Sequence, residues 1–126
     1  MRKVLIEESA HADVEIMLVW IDMLAEDNVA TASTASKIFQ YDRVIQFHDP
    51  NRLAGKAIAE SLGANHSIAW DMYLFYKAGS KWEEKPPVPL GWAHQLDDLW
   101  ADPSHFAWGD DLPIRLRDIM NSLIEN

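Results

Sequence analysis

The chain has 126 residues, no cysteine and a formal charge of −9, from 20 acidic against 11 basic side chains. Without a thiol it forms no disulfide, no cysteine-ligated zinc or iron–sulfur centre and no cysteine nucleophile. The acidic balance repels phosphate backbones and no Lys/Arg stripe interrupts it, so no nucleic-acid partner is expected.

The length suits one domain over 1–126, and the 48% apolar content is that of a globular chain. A domain of this size buries roughly 65% of its extended surface and needs no covalent staple. The opening MRKVLIEESAHAD lacks the apolar core of a signal peptide, and no run reaches the roughly 18 apolar residues of a membrane span. The expectation is a cytoplasmic protein with no membrane partner.

In chain order, the first ten residues read as a short helix, with Val4, Leu5 and Ala10 inward and Glu7 and Glu8 facing solvent. Asp13 to Ile21 is a near-continuous apolar run, the pattern of a central strand buried on both faces. After a loop, Ala30, Ala35, Ile38 and Phe39 fit a helix lying on a sheet, although Thr31, Ser33, Thr34 and Ser36 weaken its propensity. Arg43 to Phe47 reads as a second strand. Asp49 then caps a helix over Asn51 to Leu62, with Pro50 in its first turn and Gly63 closing it. Ser67 to Tyr76 is a third strand, and the turn Lys77–Ser80 brings Lys81 to Glu83 back as an antiparallel partner. The earlier alternation of strands and helices predicts parallel pairing.

At Glu84 the character changes. EKPPVPLGW holds three of the six prolines and opens a Trp/Pro/Asp-rich insertion over 84–110, with a short helix from His94 to Ala101. Leu112 to Ile124 is the C-terminal helix. Asp110 or Asp111 caps it, Pro113 lies in its first turn, and Ile114, Leu116, Ile119, Met120, Leu123 and Ile124 are its apolar positions.

This order of elements resembles a thioredoxin-like domain, and YLFYKAGSKW is similar to that family's apolar strand and Lys-x-Gly hairpin. VWIDMLAEDN, IQFHDPNRLAG, IAWDMYLFY and WAHQLDDLW also resemble an uncharacterised bacterial group of that fold. The resemblance implies a three-layer α/β domain with a mixed sheet, N-terminally abbreviated, with residues 2–10 matching the end of the helix that follows the redox motif. The Cys-x-x-Cys is absent, and Ser67-Ile68-Ala69 stands where the family carries a cis-proline. A redox-inactive relative is implied.

No Gly-rich phosphate loop, zincin motif or nucleophile elbow occurs. The densest chemical cluster is His94, Asp97 and Asp98 with His105. On a helix the first three share a face, and imidazole with carboxylate suits a divalent transition metal. The structural alternative makes the carboxylates solvated and packs His94 against tryptophans. His48, at the carboxyl end of the second strand, is a candidate general base or a plain strand-end residue. Asp71 is either a pocket acid of raised pKa paired with Arg43, or an edge carboxylate. Arg52 and Lys56 read as an anion site or as solvated side chains. Trp20 and Trp70 are placed in the core. Trp92, Trp100 and Trp108 form either a satellite core or an aromatic groove for a ligand or another chain.

These readings favour a binding module for a protein or small ligand, without a cofactor, that forms a homodimer through an under-protected edge near Val14–Ile21. A metal-dependent hydrolase and a fragment of a longer protein are the alternatives.

Overall fold

Two parallel strands, β1 (Ile16–Ile21) and β2 (Val44–Asp49), pair in register from Ile16 opposite Val44 to Ile21 opposite Asp49. The computed structural model that shows this describes residues 3–10, 12–24, 26–64, 67–97, 100 and 102–125. The crossover carries α1 (Val29–Ser36) and a 3-10 turn, Lys37–Phe39. Asn28 starts α1 with a capping box: its side chain accepts from Ala30 and Thr31, and the Thr31 hydroxyl accepts from the Asn28 N–H.

The strand β1 is not the doubly buried centre of a sheet. Among the described residues it pairs with β2 alone, and its exposure alternates, so Met17 and Val19 face solvent. Ile16, Leu18 and Trp20 point the other way, toward the crossover. There the Trp20 ring meets Phe39, and Gln46 accepts from the Trp20 indole while donating to the carbonyls of Ser36 and Phe39. Trp20 and Trp70 are half-buried rather than core residues, and α1 has no buried residue.

Asp49 does cap the next helix, α2 (Leu53–Ser61), but from farther back than a standard cap. Its carboxylate accepts from the amides of Leu53, Ala54 and Gly55 at 2.9, 3.0 and 3.3 Å. Pro50 lies in the turn before the helix, not in its first turn. Arg52 supplies the bend with φ of 58°, a left-handed conformation that costs a non-glycine residue about 1 kcal/mol. Its Nε–H donates to the Asp22 carbonyl at 2.7 Å, which offsets part of that cost. Gly63 ends the helix at φ of 85°, with Ala64 N–H bonded to the Ala59 carbonyl.

Gly55 lets α2 approach the C-terminal end of β1. A Cβ there would stand 2.6 Å from Ile21 Cδ1, 2.8 Å from Ile68 Cγ2 and 3.0 Å from the Ala69 carbonyl oxygen. Overpacking costs about 1–3 kcal/mol, and the helix-propensity gain of alanine returns about 1 kcal/mol. Gly55→Ala is therefore expected to destabilise the chain by about 1 kcal/mol in urea unfolding, although the same change in an open helix would stabilise it.

The main core lies elsewhere. Strands β3 (Met72–Phe75) and β4 (Gly91–His94) pair antiparallel, with Tyr73 opposite Ala93, and α3 (Asp111–Glu125) packs across them. Phe75, Ala93, Ala107, Leu112, Leu116 and Met120 bury one another there with Val4 and Leu5. The Lys77–Ser80 turn forms, with Gly79 at φ of 85°, but Lys81 to Glu83 stay exposed and form no strand with any of the described residues. The true partner of β3 is Gly91–His94. This tetrad lies close to α3 because Gly91 and Ala93 are small: a Cβ on Gly91 would stand 2.9 Å from Ile119 Cγ2. Residues 84–110 thus contribute a strand and buried side chains to the core, and His94 sits on a strand, not on a helix. Ile114 and Ile124, read as part of the apolar face of α3, are exposed.

The N-terminal segment is a π-helical turn, Lys3–Glu7, that buries Val4, Leu5 and Ile6 and leaves Glu7 and Glu8 in solvent. Arg43 ties it to β2, donating to the Ile6 and Val14 carbonyls and the Ser9 hydroxyl. Arg117 of α3 ties it from the other side through a two-bond contact with Glu8 at 2.9 and 3.0 Å, which lowers the Glu8 pKa. The architecture is mixed α/β, with two small sheets that are not hydrogen-bonded to each other among the described residues.

Candidate functional site

Four places carry the candidate chemistry, and the first of them is apolar. In a strand, side chains alternate between faces, so Met17 and Val19 of β1 share a face with Ile45 and Phe47 of β2. The register sets Met17 against Ile45 and Val19 against Phe47. These four are 62%, 45%, 46% and 52% exposed, forming an apolar square on one side of the parallel sheet. Farther along the face, α2 covers Ile21 through Gly55. Glu15 precedes the square, and Leu53 at the start of α2 is exposed beyond it.

The carboxyl end of the same sheet holds a polar pair. His48 Nε2 lies 2.7 Å from Asp22 Oδ1, with both side chains 22% exposed. Asp22 follows β1 as His48 and Asp49 end β2, and the parallel register brings them side by side. A carboxylate at this distance fixes the orientation of the imidazole ring. Arg52, in its left-handed conformation, closes this end. Its Nε–H is held by the Asp22 carbonyl.

The third place is an aromatic cluster on β4 and the segment after it. Trp92 and His94 are two residues apart on one strand, so they share a face and their rings stack at 5.8 Å. His105 stacks on Trp92 at 3.8 Å and 11°, and its Nδ1–H donates to the Trp92 carbonyl at 2.9 Å. Trp100 and Phe106 close on His94 at 5.4 and 5.8 Å. His94 is fully buried. Its Nδ1 accepts from the Leu96 N–H at 3.2 Å, which places the proton of the neutral ring on Nε2, and Nε2 has no hydrogen-bond partner among the described residues. Burial lowers the His94 pKa. The charge of Asp97, the Trp100 backbone and Asp71 pull the other way, and His105 adds to the lowering.

The cluster brings His94 and His105 together around Trp92, with Asp97 exposed nearby, while Asp98 lies outside the described residues. Among the described residues no group of three or more His, Asp or Glu side chains stands where it could hold a metal ion. The helix spacing that joined His94 to Asp97 does not apply, because His94 ends strand β4 and residues 95–97 are not helical.

The fourth place is an open cleft of about 290 Å³ beside the first turns of α3. Trp108, 66% exposed, and Ile114 supply its apolar wall, and Asp111, Arg115 and Asp118 its polar rim. Of the three tryptophans read as groove residues, Trp92 is buried, Trp100 is half-buried and Trp108 alone is exposed. Asp71 belongs to none of these places. It is an exposed residue at φ of 52° before β3, bonded through Oδ1 to the Gln95 amide at 3.0 Å, and Arg43 is engaged elsewhere.

Two features escaped the sequence: Asp22 as the partner of His48, and the open face of Met17, Val19, Ile45 and Phe47. The first becomes visible once the two strand ends are aligned in parallel. The second has no signal in IMLVWI, which is apolar at both parities. Among the described residues no helix is long and apolar enough to cross a membrane. Compared with protein-family models, with curated proteins and with solved structures, the chain matches none.

Proposed function

We propose that the chain is a binding protein without thiol chemistry, a cytoplasmic domain of thioredoxin-like build that docks another protein surface on the open face of β1 and β2. The observation that carries this reading is the apolar square of Met17, Val19, Ile45 and Phe47. Parallel sheets ordinarily have both faces covered. A contiguous apolar patch of this kind on a chain of net charge −9 marks an interaction site more than a packing accident. The thioredoxin-like part is supported by element order: a parallel strand–helix–strand unit, a helix, an antiparallel strand pair and a C-terminal helix. A small-ligand role has one specific support, the cleft beside Trp108.

The test is site-specific photo-cross-linking in the cells that make the protein. Ile45 and Phe47 are replaced in turn by p-benzoylphenylalanine, with exposed Lys77 as the control position. Discrete protein adducts from positions 45 and 47, and none from 77, are expected. The absence of adducts from both face positions would overturn the reading.

A further inference from the structure

We propose that His94 is an acid-released latch: when its ring takes up a proton, Trp100, His105 and Phe106 come away from Trp92, and the aromatic cluster opens while the core of β3, β4 and α3 stays folded. The device is separate from the open face of β1 and β2 and goes beyond the binding reading.

The cage fits one charge state of the ring. His94 is fully buried, with Trp92, Trp100 and Phe106 around it. A neutral imidazole has one nitrogen lone pair in its plane, and here it is on Nδ1, accepting from the Leu96 N–H at 3.2 Å. A second proton has only this nitrogen to go to. Once there, it sets a donor against the Leu96 donor, and the bond that shapes the turn after β4 becomes a repulsion. Nε2–H has no acceptor among the described residues. A buried charge with neither donor satisfied is expelled to water at less cost than it is kept.

The neighbouring charges point the same way. His105, stacked on Trp92, repels a charged His94, and burial opposes it more strongly still. Asp97 in the turn after β4, the Trp100 backbone and Asp71 before β3 attract it. Both carboxylates are on exposed residues, so a charged ring meets them on the solvent side. From α3, Arg115 is bonded to the Ser104 carbonyl, and Asp102 caps the Ser104 N–H. Protonation of His105 breaks no bond, because its Nδ1–H keeps the Trp92 carbonyl. His94 is therefore the residue of the cluster whose charging the closed form cannot accommodate.

The cluster can open without unfolding the chain because it lies outside the main core. Along β4 the side chains alternate, so Ala93 enters the core with Phe75, Leu116 and Met120, while Trp92 and His94 face the other way. None of Trp92, His94, Trp100, His105 and Phe106 belongs to that core. Few bonds fasten the covering segment to the strands. Ala107 N–H donates to the His94 carbonyl at 3.0 Å, His105 holds the Trp92 carbonyl, and Gln95 makes two bonds to Asp71. A segment held by so few bonds opens at a lower free energy than the core it covers.

Amide and histidine-ring NMR of the purified, isotope-labelled full chain, titrated from pH 7.5 to 5, tests this. Signals of Gln95, Leu96, His105, Phe106 and Ala107 should move to unstructured positions with one midpoint below 6.5, the ratio of open to closed rising about tenfold per pH unit. Leu116, Met120 and the β1–β2 amides should keep their native positions across that midpoint. The His94 ring nitrogens should titrate with it, a readout in the wild type that needs no variant to fold. His94→Asn, whose side-chain oxygen can still accept from Leu96, should show no such transition. His105→Asn should show it at a higher pH, since one repelling charge is gone.

Cluster signals that stay native to pH 5, core signals lost together with them, or a transition that persists in His94→Asn would each overturn the latch. A His94 ring that titrates while the cluster amides stay in place would overturn it as well, because the cage would then hold the charged form.

Discussion

Replacing Asp49 by alanine is expected to cost about 2–3 kcal/mol of stability, more than an ordinary helix cap. A surface cap contributes about 1 kcal/mol through one or two amide bonds. Here one carboxylate serves three amides, those of Leu53, Ala54 and Gly55, and Asp49 itself is buried. Its loss leaves those donors without a protein acceptor, and the amide of buried Gly55 carries the largest desolvation cost. It also removes a negative charge from the positive end of the α2 dipole. The reach matters as much as the charge. The carboxylate spans from a strand residue to amides four to six residues on, using both oxygens. Serine has one acceptor on a side chain one atom shorter, so Asp49→Ser should recover little, unlike a serine placed at a standard cap. Asp49→Asn, which keeps one carbonyl oxygen in place, should fall between. Urea unfolding of the three variants checks the order; full recovery by serine would place the stabilisation somewhere other than this three-amide contact.

The same residue shows what was legible in the sequence. Asp49 as a cap and Gly63 as a stop were readable because both act within a few residues of themselves. The period of α3 was readable for Leu112, Leu116 and Met120, which recur every four residues and are all buried. The position of Pro50 was not, because the left-handed Arg52 inserts a bend that residue preferences disfavour. Strand β4 was hidden by its composition. Gly-Trp-Ala-His follows prolines and contains no β-branched residue, and it becomes a strand because Gly91 and Ala93 fit beneath Ile119 and the rest of α3. That fit depends on an element twenty or more residues away. Once β4 is a strand, the period of two puts Trp92 and His94 on one face, and the aromatic cluster follows from sequence spacing after all.

The functional surface was the least legible part, for a related reason. A run such as IMLVWI states that both faces of a strand are apolar, and the simplest inference is that both are covered. Whether a layer exists to cover each face is decided by where α1 and α2 fall. The crossover lies on the Trp20 side and α2 reaches only Ile21, so the square of Met17, Val19, Ile45 and Phe47 is left open. The expected unpaired edge near Val14–Ile21 is there, since β1 is the outer strand of a two-stranded sheet among the described residues, and the exposed apolar side chains lie on its face besides.

His94 should make the chain acid-sensitive, and the sign follows from its surroundings. The ring is fully buried among Trp92, Trp100 and Phe106, with Nδ1 taken by the Leu96 N–H and Nε2–H unbonded among the described residues. Burial lowers its pKa in the folded chain, and His105, stacked on the other partner of the pair, Trp92, adds to the lowering. Asp97, the Trp100 backbone and Asp71 oppose the shift without reversing it. The unfolded chain therefore binds a proton at this residue more readily than the folded one. Stability held by the neutral ring is present above the unfolded pKa of about 6.5 and is lost as the pH falls through it toward the folded value. For a single proton the slope cannot exceed about 1.4 kcal/mol per pH unit. The measurement is taken as a difference between variants, which isolates position 94. Urea unfolding between pH 7.5 and 5.5 should show the wild type losing stability more steeply than His94→Asn, in which nothing titrates at that position. His105→Asn should retain most of the wild-type slope, because His94 stays buried without it. Parallel curves for wild type and His94→Asn would mean that the buried imidazole takes up its proton as easily in the folded chain as in the unfolded one.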